Sequence, residues 1–176
     1  AVSAMESALP PVTAILTFVV VAPIAEEFIF RRLLLDRVRI FGDGAAILIG
    51  GAAFGLFHGN LNQTLYAFVL GAVFSAIVLL TNRLRYTIGI HMLINGISVL
   101  TTLVESDLLD YLLACVILFS ICFSVVLFFV RRKHYTLEPG PLPFSRAEKA
   151  HACFTSPWVW ILLVGGMAYS GVSIFL

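Results

Sequence analysis

The stretch 12–30, VTAILTFVVVAPIAEEFIF, is almost unbroken apolar sequence that closes on Glu26 and Glu27 and runs directly into Arg31 and Arg32. A helix needs about 20 apolar residues to cross a ~30 Å hydrocarbon core, so this stretch reads as a membrane span with two acids and a base at one end. Ionisable groups are costly in hydrocarbon, which makes that polar end a functional-site candidate. Pro10 and Pro11 open the span where proline is tolerated. Pro23 lies inside it, where a missing N–H kinks the helix or frees a carbonyl near the glutamates.

The rest of the chain repeats the pattern. Further apolar windows occupy residues 45–58, 65–81, 86–104, 108–130 and 158–176, the first of these short for a full crossing. The chain is 60% hydrophobic and 12% charged, against about 25% charged in soluble domains. These observations predict an all-α fold: a polytopic transmembrane helical bundle of about six helices. The chain begins at Ala1, and its first span lacks the basic start and small-residue cleavage pattern of a signal peptide, so more helices are expected upstream. The domain reading is a core over 1–130, a linker over 131–157 rich in proline and mixed charge, and a C-terminal transmembrane helix over 158–176.

Charge placement orients the chain. All eleven Lys and Arg residues follow odd-numbered spans, whereas the opposite loops carry Glu105, Asp107 and Asp110 and no base. The positive-inside rule makes the basic side cytoplasmic. A net charge of +1 argues against a nucleic-acid partner. Membrane lipids and a peptide or membrane-protein substrate are the partners expected. Cys115, Cys122 and Cys153 show neither Cys-x-x-Cys spacing nor a secreted framework and read as packed apolar residues, while His134 and His151 read as surface histidines of the linker.

Three pairs spaced four apart carry the chemistry: Glu27 with Arg31, Phe54 with His58, and His91 with Asn95. Four residues are about one helical turn, so each pair shares a helix face. Glu26 and His58 stand equally far in sequence from Gly42, in the turn Phe41-Gly42-Asp43-Gly44. In an antiparallel hairpin they therefore reach a similar depth, about 20–24 Å from the turn at ~1.5 Å per residue. For both to lie in the cytoplasmic half of the bilayer, the hairpin must project from it, as the amphipathic stretch 31–39 allows. His91 enters the same zone from the basic loop at Arg85, about 9 Å in. Gly51, Gly55 and Gly59 form a small-residue stripe expected to admit the first or fourth span beside His58.

Arg31 at i+4 is the natural partner of Glu27. Adjacent residues point about 100° apart, so one glutamate faces His58 and the other supports it. A carboxylate and an imidazole on one water can deprotonate it, while an amide NH2 and a second imidazole can donate to the oxyanion formed at a peptide carbonyl. The same Glu26, His58 and His91 can instead hold a divalent metal such as Zn2+; no cofactor is required by the base-plus-oxyanion arrangement. The chain has no His-Glu-x-x-His or Gly-x-Ser-x-Gly motif.

Glu-Glu-Phe-Ile-Phe-Arg (26–31), Phe-Gly-Leu-Phe-His (54–58) and His-Met-Leu-Ile-Asn (91–95) resemble, in order, the EExxxR, FxxxH and HxxxN motifs of the CPBP intramembrane proteases. This family, also called ABI, contains CAAX prenyl endopeptidases and bacteriocin-processing enzymes. The resemblance covers residues 12–104. It implies a glutamate-dependent endopeptidase, often labelled a metalloprotease, whose membrane cavity opens to the cytosol. Glu26 is then the base acting with His58, His91 and Asn95 form the oxyanion hole, and Glu27, Arg31 and Phe54 support them. The motifs do not choose between a prenylated CaaX protein and a peptide precursor. The short chain favours a bacterial plasma membrane, with the endoplasmic reticulum membrane as the eukaryotic counterpart.

Two other readings fit the same residues. A non-proteolytic bacteriocin-immunity or peptide-binding protein of the same fold would make the polar cluster structural. A proton channel or small transporter would use Glu and His as relays, but no inverted repeat supports it.

Overall fold

Proline starts the first helix and glycine ends it. In the computed structural model, which describes residues 10–59, 61–104, 106–131, 133, 135–141, 143–155, 157 and 164, helix α1 runs Pro11–Phe41. Pro11 occupies its first turn, where no N–H is needed, and Ala14 N–H donates to Pro10 O at 3.0 Å. The helix continues past the apolar window through Arg31–Arg39 territory and tightens to a 3-10 turn at Arg39–Phe41. Gly42, at φ +93°, then breaks it in a conformation that L side chains rarely adopt. Two π-helical runs, Ile15–Val21 and Phe28–Leu34, interrupt α1 on either side of Ala22–Glu27. The i, i+4 pattern of the sequence gives no sign of them.

Helix α2 spans Asp43–Phe57, helix α3 Leu61–Thr81, helix α4 Leu84–Leu103, helix α5 Asp107–Arg131 and helix α6 Arg146–Thr155. Among the described residues there is no strand. Helices α1, α3 and α4 are each long and apolar enough to cross a membrane, and α2 is shorter, as expected. Only 17–22% of their most apolar windows is buried within the chain, so the remaining apolar surface faces lipid. The protein is an integral, multi-pass membrane protein. The expected span 158–176 lies outside the described residues apart from Val164.

The chain divides into two compact units. One comprises residues 25–88 with 137–176, and the other residues 1–24 with 89–136.

Within the first unit, α2 and α3 form an antiparallel hairpin with a short connection. The glycine stripe packs here against the third span, where the first or fourth had been expected. A Cβ on Gly55 would lie 2.7 Å from Thr64 O, and one on Gly51 would lie 2.9 Å from Phe68 O. Gly71 of α3 answers from the other side, 2.8 Å from the Phe54 Cβ by the same measure. The physical reason is proximity in sequence: α3 follows α2 immediately, and bare glycine backbone lets it close on that face. Gly59, at φ +57°, ends α2, its N–H donating to Leu56 O at 3.1 Å.

Residues of the expected linker are fastened to the α1–α2 turn. Asp43 N–H donates to Glu138 O, Glu138 N–H donates to Asp43 Oδ2, and Arg39 Nε donates to Asp43 Oδ1, each at 3.0 Å. Lys149 Nζ donates to Phe41 O, and the Phe41 and Phe144 rings stand 5.5 Å apart. Pro143 and Pro157 bracket α6 instead of preventing it. Its start is a capping box: Glu148 N–H donates to Ser145 Oγ at 3.2 Å and Ser145 N–H to Glu148 Oε2 at 2.7 Å. Those bonds hold the Glu148 carboxyl below its usual range. His151 is exposed, as expected.

In the second unit, Ser106 caps α5, accepting from Leu109 N–H at 3.4 Å, with Asp107 and Asp110 in the first turn. Cys115 is exposed on α5 and not packed. On a helix whose outer face is itself apolar, a small hydrophobe has no need of the core. The Cys122 and Cys153 side chains, His134 and Glu105 lie outside the described residues.

The glycine contacts yield a paired test. Gly55→Ala should force α2 and α3 apart and cost about 1–3 kcal/mol, whereas Gly44→Ala, with nothing within 4 Å of the new methyl, should not destabilise. Thermal unfolding in detergent micelles reads both; equal losses would contradict the close-packing account.

Candidate functional site

The first unit holds a buried ion pair on an aromatic seat. Glu27 and Arg31 are 0% and 1% exposed, with Arg31 Nε 3.4 Å from Glu27 Oε2. Charge and distance join the pair, without an aligned hydrogen bond from any guanidinium nitrogen among the described residues. Ring faces surround the cation instead. The guanidinium carbon stands 4.9 Å from the Phe54 ring centroid, 5.8 Å from Phe74 and 5.9 Å from Phe30. Such contacts are worth about 0.5–2 kcal/mol each, more where water is excluded. Carboxylate and π-electrons together balance a charge that would otherwise be prohibitively costly at this burial.

Phe54 links this pair to the histidine. Its ring meets Phe30 edge-on at 5.3 Å and the His58 imidazole at 4.7 Å. Its carbonyl does more. His58 Nδ1 lies 2.8 Å from Phe54 O, and a carbonyl can only accept, so Nδ1 carries the proton. In the neutral ring, Nε2 is then left with the lone pair, which accepts a hydrogen bond. His58 is half-buried at the end of α2. Glu26 is also half-buried, unlike its neighbour, and so is the more accessible of the two glutamates.

The second unit contributes His91 and Asn95 from α4. His91 is 5% exposed. Asn95 Nδ2 donates to Phe18 O in α1 at 2.9 Å, leaving its second N–H and Oδ1 for other partners.

Contacts thus join Glu27, Arg31, Phe54 and His58 in one unit and tie Asn95 to Phe18 in the other. Phe74 and Phe18 were missed by sequence reading. Phe74 gave no signal, being one apolar residue in an apolar span. Phe18 had only an indirect one, since Pro23 was expected to kink the helix or free a carbonyl near the glutamates. Among the described residues no group of three or more His, Cys, Asp or Glu side chains is arranged to hold a metal ion, and no step is routed through one.

All three motifs fall inside a single family match. The model of the family described as Type II CAAX prenyl endopeptidase Rce1-like matches residues 8–97. The chain belongs to this family. It is therefore a peptidase at the family level, a CAAX-protease-like hydrolase. No curated protein and no solved structure matches it. The Rce1-like match takes in α1 to α3 and α4 as far as Asn95 and two residues beyond, whereas α5 and α6 lie outside it.

Breaking the buried pair has a defined cost. Glu27→Ala leaves the Arg31 charge buried and should destabilise the Rce1-like fold by about 3–5 kcal/mol. Glu27→Ala/Arg31→Met should recover part of that loss in the same unfolding measurement. A double variant no better than the single one would contradict the ion-pair account.

Proposed function

We propose that the chain is a glutamate-dependent intramembrane endopeptidase that hydrolyses a peptide bond of a membrane-associated protein or peptide precursor, prenylated CaaX-type proteins among them. The observation that carries the reading is the imidazole of His58. Its Nδ1 is committed to Phe54 O, which leaves Nε2 as an acceptor, in a family of peptidases and on a helix tied by Phe54 to the glutamate-bearing turn.

Glu26 takes a proton from the water that His58 orients through Nε2. The resulting hydroxide attacks the peptide carbonyl, and the C–N bond breaks after Glu26 returns the proton to the leaving amine. Hydrogen bonds from His91 and from the second Asn95 N–H stabilise the negative oxygen of the tetrahedral intermediate. Glu27 is paired with Arg31, and the half-buried carboxylate beside it is the one assigned to the chemistry. The basic residues Arg37, Arg39, Arg83 and Arg85 set the catalytic end toward the cytosol.

Glu26→Gln keeps shape and removes the base; it should abolish cleavage of farnesylated CaaX peptides and of a transmembrane peptide precursor by the purified full chain while leaving the melting temperature unchanged. Full activity in that variant would end the assignment. Asn95→Ala should lower kcat by roughly 10² with little change in KM; an effect on KM alone would refute the oxyanion role.

A further inference from the structure

We propose that Pro23 is a positioning residue for Asn95, acting through the carbonyl of Phe18. The argument rests on hydrogen-bond register in α1. The first π-helical run, Ile15–Val21, closes with Ala22 N–H donating to Thr17 O, a five-residue step. The next rung in that register would run from the N–H of residue 23 to Phe18 O. Residue 23 is proline and has no N–H. The run stops there, and Phe18 O is left for another donor.

That donor is Asn95 Nδ2, at 2.9 Å. A buried carbonyl without a donor costs about 1–3 kcal/mol, so the vacancy and the amide stabilise one another. Pro23 is itself fully buried, fixing the interruption inside the helix. Because a carbonyl accepts only, it also chooses the orientation of the amide: NH2 toward Phe18, Oδ1 away. One N–H is thereby tied, and the second is held in a fixed direction. On the reading that Asn95 donates to the oxyanion, on which the catalytic half of this proposal rests, the proline supplies the preorganisation that such a donor needs.

Pro23→Ala restores the missing N–H, which then competes with Asn95 for Phe18 O. The chain has four asparagines, Asn60, Asn62, Asn82 and Asn95. In the full chain labelled with 15N-asparagine in micelles, the Asn95 side-chain NH2 signals, assigned by their absence in Asn95→Ala, should shift toward the values of exposed amides in Pro23→Ala. Pro23→Ser returns the same N–H with another side chain and should give the same shift. In kinetics, Pro23→Ala should lower kcat about tenfold with KM within about twofold, and should have no further effect in the Asn95→Ala background.

Unchanged Asn95 signals in both proline variants would overturn the proposal. So would an equal loss of kcat with and without Asn95, which marks a general effect on the helix. If Asn95→Ala keeps full activity while the proline variants still move the Asn95 signals, the oxyanion reading fails and the anchoring of Asn95 by Pro23 stands.

Discussion

A charged pair that is excluded from solvent within an apolar helix must be compensated locally, and the first unit is organised around that requirement at Glu27 and Arg31. The carboxylate supplies one side of the compensation. Phe30, Phe54 and Phe74 supply the other, drawing on α1, α2 and α3 together. The same Phe54 offers its carbonyl to His58. An electrostatic necessity in α1 therefore fixes the helix that carries the imidazole, and the glycine-lined contact between α2 and α3 brings Phe74 to the cation. Removing charge, ring or glycine would each act on the same assembly from a different side.

Backbone satisfaction is the second constraint. Where water is scarce, a main-chain carbonyl released from its helix has to find a donor, and the chain uses such releases constructively. Phe18 O, vacated at Pro23, receives Asn95. At the α1–α2 turn, Asp43 and Glu138 exchange main-chain and side-chain bonds where glycine has broken the helix. Family membership adds chemistry to this scaffold: the three motifs that contain these residues lie inside the matched peptidase model.

Much of this was legible in the sequence because it depends on composition and short-range spacing. The apolar windows and their lengths gave the helices that cross the membrane, including the shortness of α2. The i, i+4 interval gave the pairing of Glu27 with Arg31. Other features depend on which surfaces meet. The π-helical runs arise from register changes that leave no periodic trace in uniformly apolar sequence. The glycine stripe showed that a helix would approach closely, but any neighbour could have filled it, and α3 does. Phe74 is chemically anonymous until Arg31 lies against it. Helix α6 lies inside the proline-rich stretch that read as a linker.

The most direct test of the central claim, that the Arg31 cation seated on Phe54 joins α1 to α2, is a double-mutant cycle between Arg31→Met and Phe54→Leu, read by reversible unfolding in mixed micelles. The account predicts a coupling of at least about 1 kcal/mol, the second substitution costing much less once the first is made. Additive losses, agreeing to within about 0.3–0.5 kcal/mol, would mean that cation and ring stabilise the protein independently and would contradict it.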